Sequence, residues 1–223
     1  MNFFDFSITY GPKFSSAAIT TAQVFVYSAL LAVIISIIFG IMRLSKNIII
    51  QVLATVYIEF YRGTSLIIQM FWIYYVLPLF GIPLPALLAG VLALGMNFGA
   101  YGAEVLRAGI LAVPKGQWEG ALALNFSKAK RMQRIIIPQI YPIILPPAAN
   151  LAVELLKGTA LVSLITLVDL MFVAKQINMM TWLSAQSFGL ALLIYFVMAR
   201  FVLVPFLRWL EVLAAKKVGR GKA

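Results

Sequence analysis

"EGALALNFSKAKRMQRIIIP", residues 119–138, is a polar and basic interruption in a chain otherwise close to hydrocarbon. Lys128, Lys130, Arg131 and Arg134 crowd together and are followed at once by Pro138. Ahead of them, WEGALALNF places Ala121, Leu122 and Leu124 where one face of a helix needs apolar groups, with Glu119 and Asn125 polar. The stretch is a short helix outside the bilayer with an apolar side. By amphipathicity alone, such a helix rests on lipid or inserts into a partner.

The surrounding composition sets the class. Of 223 residues, 63% are apolar and 11% charged, more apolar surface than one soluble domain of that length can bury. The chain belongs in a bilayer. A formal charge of +11 would suit nucleic acid, but the basic residues lie between and beside the hydrophobic runs, so nucleic acid is not expected as a partner. The absence of Cys and His removes disulfides, thiolate chemistry and imidazole catalysis together, and no metal site is expected. The first residues, MNFFDFSITYGPK, lack the basic start of a cleaved signal, so the first apolar run is expected to stay as an anchor.

A bilayer core of about 30 Å takes roughly 20 apolar residues in a helix. Five spans are expected on that measure: 19–42, about 57–76 ending at Pro78, about 84–108, about 147–168, and roughly 188–207. Pro138, Pro142, Pro146 and Pro147 argue against one regular helix through their region, and Pro147 suits a first turn. TLVDLMFVAKQINMMTWLSAQS, between the last two spans, reads as a short interfacial helix or a sixth partial span. Positive charge assigns the sides. Arg43 and Lys46, the loop cations Lys115 to Arg134, and the tail Arg208, Lys216, Lys217, Arg220 and Lys222 fall on one side, against Lys13 and Lys175 on the other. The N-terminus is therefore expected outside and the C-terminus in the cytoplasm. The tail KKVGRGK is expected to set topology or to meet anionic headgroups.

The spacing Glu-Gly-Ala, three residues, Asn125, nine residues, then Ile135-Ile136-Ile137-Pro138 resembles the EAA loop of ABC-importer permeases. FYRGTSLIIQMFWIYYVLP at 60–78, AYGAEVLRAGILAVPKGQWEGA at 100–121 and ELLKGTALVSLI at 154–165 are similar to the successive signature regions of the polar amino-acid permease family, and most similar to its ectoine and hydroxyectoine branch. The resemblance implies an all-α integral membrane protein of about five helices with the type I ABC-importer permease fold. It implies one permease domain over 1–223, with a cytoplasmic coupling loop at about 113–138 whose Glu119, Gly120, Ala121, Leu124, Asn125 and Pro138 couple it to an ATPase. It further implies a bacterial plasma (inner) membrane, a dimer of ATP-binding subunits, a second permease subunit, identical or paralogous, and an extracytoplasmic solute-binding protein, with membrane lipid around them. The solute would be a polar amino acid or a related zwitterionic compatible solute. The chain departs from the family pattern at Gly120 for Ala and Asn125 for Gly, and again at Gly158 and Ala160, where the family more often has Asp and Ser. Asn tolerates left-handed backbone well enough to keep the turn after the helix. No G-x-x-x-x-G-K-[ST] run occurs, so ATP would be hydrolysed by partner subunits, with no enzyme activity and no cofactor on this chain.

Within the spans, Glu59 and Arg62, Glu104 and Arg107, and Glu154 and Lys157 stand three residues apart, the spacing at which a helix lets an acid and a base neutralise each other. The first two pairs serve either as structural pairs or as a gate whose pairings exchange between helices. Glu154 and Lys157 fall near the midplane if their helix begins near Pro147; at that depth ionisable groups face water or a ligand, or bond to a neighbouring helix. Asn150, Glu154, Lys157 and Thr159 together offer a zwitterion one group of each sign and polar donors. Asn97 and Tyr101 are further candidates for the path, or for packing between helices. MFWIYY at 70–75 reads as an interfacial aromatic belt, and Gly90 and Gly95 as close-packing positions. The alternative to an importer subunit is an autonomous channel or secondary transporter for a small polar solute, whose loop is only an interfacial helix.

Overall fold

The computed structural model describes residues 1–217, all of whose regular elements are helical. The side chains of the basic tail, Lys216 to Lys222, lie outside the described residues. Helix α1, Phe3–Arg43, is 41 residues long and begins well before the expected start at 19. At about 1.5 Å per residue it overhangs a bilayer core of about 30 Å. Packing rather than bilayer thickness accounts for the extra turns. Phe6, Phe14 and Ala17 are buried against Leu170, Val173, Ala174 and Ile177 of the short helix α8, Leu170–Thr181. Asp169 caps α8 by accepting from the Phe172 N–H at 2.8 Å.

The second span is not one helix. Helix α2, Ile48–Gly63, stops at Gly63, and Thr64 and Ser65 are extended. Helix α3, Leu66–Phe71, then leaves at 104° and runs on through a π-helical turn, Trp72–Val76, and a 3-10 turn, Leu77–Phe80. Hydropathy cannot register such a break, because both limbs are apolar and only the hydrogen-bond partners of the freed carbonyls decide whether it is affordable. Helix α4, Ala86–Leu111, follows close to its expected limits. It lies against α1 so closely that a Cβ on Gly95 would meet Leu31 at 2.6 Å and one on Gly99 would meet Ile35 at 2.5 Å. The approach brings the Gly99 carbonyl to 3.1 Å from the Ser36 hydroxyl oxygen, whose one proton is shared between it and the Ala32 carbonyl at 2.6 Å. In lipid, where apolar burial drives helices together weakly, such close contact supplies the dispersion attraction that holds them.

The fourth span departs from expectation in the opposite sense. Helix α5, Lys115–Ala123, and the single turn α6, Lys128–Arg131, lead through a π-helical turn, Met132–Ile136, into α7, Ile137–Gly158. Pro142, Pro146 and Pro147 sit inside α7, and Pro138 in its first turn. Proline removes one N–H, but helices in bilayers tolerate it where local widening or neighbours satisfy the freed carbonyls. Here the helix widens immediately before Pro138, and Pro146 and Pro147 lie on an exposed face. A 3-10 segment, Thr159–Ile165, continues α7 and ends at Thr166 in left-handed backbone, φ 65°. The segment 166–187 thus supplies α8, packed into the bundle. The last span is α9, Ser184–Val197, a π turn, Met198–Leu203, and α10, Val204–Lys217. Among the described residues, four helices are long and apolar enough to cross a bilayer, and a fifth span arises if α2 and the α3 stretch count as one.

Candidate functional site: coupling helix and translocation face

The loop after α4 folds as a helix packed against the start of the next span. Val113 and the side chain of Trp118 pack onto Met132, Ile135, Ile136 and Ile140 at the start of α7. Gln139 donates to Gln117 at 3.1 Å and to the Ile135 carbonyl at 2.9 Å, tying α5 to the same turn. The helix ends in a Schellman turn: Phe126 N–H bonds to the Ala121 carbonyl at 3.1 Å, Asn125 N–H to Leu122 at 2.9 Å, and Asn125 takes φ 52°. Asn therefore occupies the left-handed position expected of it in place of Gly. Lys130 lies over the Phe126 ring at 4.6 Å, and Ser127 caps the next turn by accepting from Lys130 N–H at 3.3 Å. From Lys128 to Gly158 the backbone is helical without interruption, with Pro138 at the join of π turn and α7.

One expectation for this loop needs correction. Ala121 is only 1% exposed, turned toward the chain's own interior, so it offers no surface to a partner. The outward face consists of Glu119, Gly120, Leu122, Ala123 and Leu124, all exposed. A Cβ on Gly120 would meet nothing within 4 Å, which leaves the backbone open to close approach. Sequence periodicity missed the inward role of Ala121 because Trp118, one turn earlier, fixes which side faces α7. The neighbouring large aromatic is the signal that could have found it.

The charged pairs are rearranged relative to their spacing. Arg107 holds Glu104 at 2.9 Å as expected, but Arg43 reaches Glu104 at 3.2 Å and Glu59 at 3.3 Å, joining α1, α2 and α4. Arg62 does not pair with Glu59; its guanidinium lies 5.4 Å from the centre of the Tyr101 ring. Arg43 sits at the end of α1, and sequence reading counted it only as a topology charge.

Asn150, Glu154 and Lys157 are exposed on α7, and their spacing, with exposed Pro147 before them, traces one helix face. Among the described residues Glu154 and Lys157 form no ion pair, leaving one acid and one base free on that face. Thr159 does not join them: it is buried and its hydroxyl donates to the Leu156 carbonyl at 2.7 Å. Asn97 and Tyr101 also turn elsewhere. Asn97, 5% exposed, donates to the Tyr61 carbonyl at 2.9 Å and to Gln69 at 3.1 Å, while the Tyr101 hydroxyl donates to the Arg62 carbonyl at 3.5 Å. Gln69, a lone amide in the apolar run LIIQMFWI, escaped sequence reading although that isolation is itself a signal. The aromatic run is likewise more than a belt. Tyr74 and Thr166 share a hydrogen bond of 2.9 Å, and Tyr75 donates to the Leu164 carbonyl at 3.2 Å.

Residues 13–215 match the family described as "Binding-protein-dependent transport system inner membrane component". The chain is 44% identical over 197 residues to a probable amino-acid ABC transporter permease, y4tF, of Sinorhizobium fredii, covering 86% of this chain and 82% of that protein. It is 34% identical over 170 residues to the L-cystine transport system permease TcyB of Bacillus subtilis, covering 76% and 73%. It is also 34% identical over 183 residues to a putative glutamine transport system permease, GlnP, of Rickettsia felis, covering 80% and 84%. Among solved structures, a crystal structure of an amino acid ABC transporter with histidines superposes with a TM-score of 0.86 at 36% identity, over 95% of this chain and 98% of that one. An inward-facing MetNI methionine ABC transporter shares the fold with a TM-score of 0.72 at 14% identity, over 91% and 98%. These likenesses place the chain in the family of binding-protein-dependent transport system inner membrane components, the membrane-spanning permease subunits of ABC importers.

Proposed function

We propose that the chain is the permease subunit of an ATP-driven importer for amino acids or related zwitterionic solutes. The observation that carries the reading is the continuity of α5, the Asn125 turn and α7. A partner gripping Glu119, Gly120, Leu122 and Leu124 pushes on a helix whose far end bears Asn150, Glu154 and Lys157. Closure of an ATP-binding pair on that lever shifts the spans between two arrangements, each ligand biasing the one it binds better. The chain acts as one permease domain, with residues 113–138 as its coupling loop on the cytoplasmic side and its N-terminus outside. ATP is hydrolysed by the partner dimer, and this chain holds no cofactor. A second permease subunit, a paralogue or an identical copy, encloses the path, and an extracytoplasmic binding protein delivers the solute. Arg43, Glu59, Glu104 and Arg107 form a network at the α5 end of the bundle that can exchange pairings as a gate.

Lys157 receives a carboxylate and Glu154 an ammonium, and Asn150 one turn before Glu154 adds a polar contact. Charge-assisted hydrogen bonds of this kind contribute about 1.5 to 3 kcal/mol each, roughly tenfold to a hundredfold in affinity. Glutamine and cystine are zwitterions of this kind, and ectoine and hydroxyectoine, which the sequence resemblance suggests, would offer Glu154 a cyclic amidinium in place of the ammonium. Glu119→Lys is expected to abolish copurification of the ATP-binding subunit and all ATP-driven uptake. Uptake of labelled glutamine, cystine, ectoine and hydroxyectoine, with Glu154→Gln and Lys157→Gln made singly and together, then ranks the solutes. Uptake by the chain in vesicles without ATP would overturn the importer reading in favour of an autonomous channel or carrier.

A further inference from the structure

A break in a bilayer helix leaves carbonyls that must find donors within the protein. At the end of α2 the donors are named side chains. Thr64 donates to the Phe60 carbonyl at 2.7 Å, and Tyr101 reaches the Arg62 carbonyl. The Tyr61 carbonyl receives both Gln69 at 3.0 Å and Asn97 at 2.9 Å. Gln69 further donates to the Thr64 hydroxyl at 2.6 Å, with the Thr64 carbonyl 3.3 Å from the same nitrogen, while its own oxygen accepts from Asn97 at 3.1 Å. Both amides are more than nine-tenths buried, at 7% and 5% exposure. The relay therefore begins on α3, crosses the extended link and ends on α4.

We propose that Gln69 and Asn97 are positioning residues that lock the bend of the second span to α4, so that α2, α3 and α4 move as one body during transport. Without the relay, the extended Thr64 and Ser65 are a free hinge between two apolar limbs. With it, the α3 stretch is fixed to α4 at one end and bonded through Tyr74 and Tyr75 to Thr166 and Leu164 at the other. A displacement of α7 and its 3-10 extension is thereby passed to α4 through the bend rather than absorbed there. The inference stands apart from the identity of the solute.

Exposed Val56 on α2 and Phe80 beyond α3 allow a direct reading when both are replaced by spin-labelled cysteine in the full chain with its ATP-binding partner in lipid nanodiscs. One narrow distance is expected, the same without nucleotide and with ATP trapped. Gln69→Met removes the bonds to Thr64 and one of the two donors to the Tyr61 carbonyl, Asn97→Leu removes the other donor and the tie from α4, and each should split that distance into two populations. The double variant should be no broader than either single one, because the two side chains act as a unit. A distance that shifts with nucleotide in the otherwise unaltered chain, or that stays single in both variants, overturns the proposal. Where a variant does not fold, the nucleotide comparison alone still decides. The same measurement on the chain without a partner separates failure of the lock from failure of the importer reading.

Discussion

Two spans of this molecule treat their backbone in opposite ways. Helix α7 holds Pro142, Pro146 and Pro147 and stays continuous, whereas the second span has no proline before Pro78 and breaks at Gly63-Thr64-Ser65. The difference lies in where the freed carbonyls go. Along α7, Pro146 and Pro147 are exposed and Pro142 is half-buried, and a π turn widens the helix before Pro138. At the bend the chain supplies the donors itself: the buried amides of Gln69 and Asn97 both serve the carbonyl of half-buried Tyr61, and Thr64 and Tyr101 serve those of exposed Phe60 and Arg62. The break in the second span is thus sustained by donors that the chain itself supplies.

Proline placed in a helix that has no such latitude is the strongest way to break the comparison. Ala100→Pro, in the buried middle of α4, removes a helix hydrogen bond and crowds the Met96 carbonyl, which already accepts the Tyr57 hydroxyl at 2.8 Å. It is expected to cost about 3 kcal/mol or more, read as loss of folded protein in thermal unfolding. Asn125→Val forces a β-branched residue into left-handed backbone at about 1 to 2 kcal/mol and should weaken coupling while leaving the spans folded. That separation is checked by comparing ATP-driven uptake with unfolding temperature. Thr64→Val removes a donor and an acceptor at the bend for about 1 kcal/mol. Pro146→Ala should be the smallest, within roughly 1 kcal/mol of the original, because an exposed face gives up little when one more N–H is supplied. A large loss from Pro146→Ala would show that the proline shapes α7 rather than being tolerated by it.

Much of the fold was legible because the physical cause acts along the chain. Runs of apolar residues marked α1, α4 and the last span, and WEGALALNF marked the short helix α5 between them. The left-handed turn at Asn125 was legible too, since Asn is among the few residues that tolerate it. What escaped depended on partners distant in sequence. The early start of α1 needs α8 beneath Phe6 and Phe14; the bend needs Asn97 opposite Tyr61; the inward turn of Ala121 needs the Met132–Ile136 turn packed against α5. The ion pairs show the same limit. Spacing correctly joined Glu104 to Arg107, but Glu59 found Arg43 across the bundle because a helix neighbour only competes with partners that tertiary packing brings closer.

The central claim is that α5 is held outside the bilayer with its Gly120 face turned to an ATP-binding partner. Paired cysteine substitutions test it most directly: Gly120→Cys and Ala121→Cys, each exposed to a short crosslinker in membranes containing the assembled transporter. The account predicts an adduct with the ATP-binding subunit from position 120 and little or none from the buried position 121. Adducts only to lipid from position 120, or its modification by an impermeant reagent added outside the cell, would contradict it.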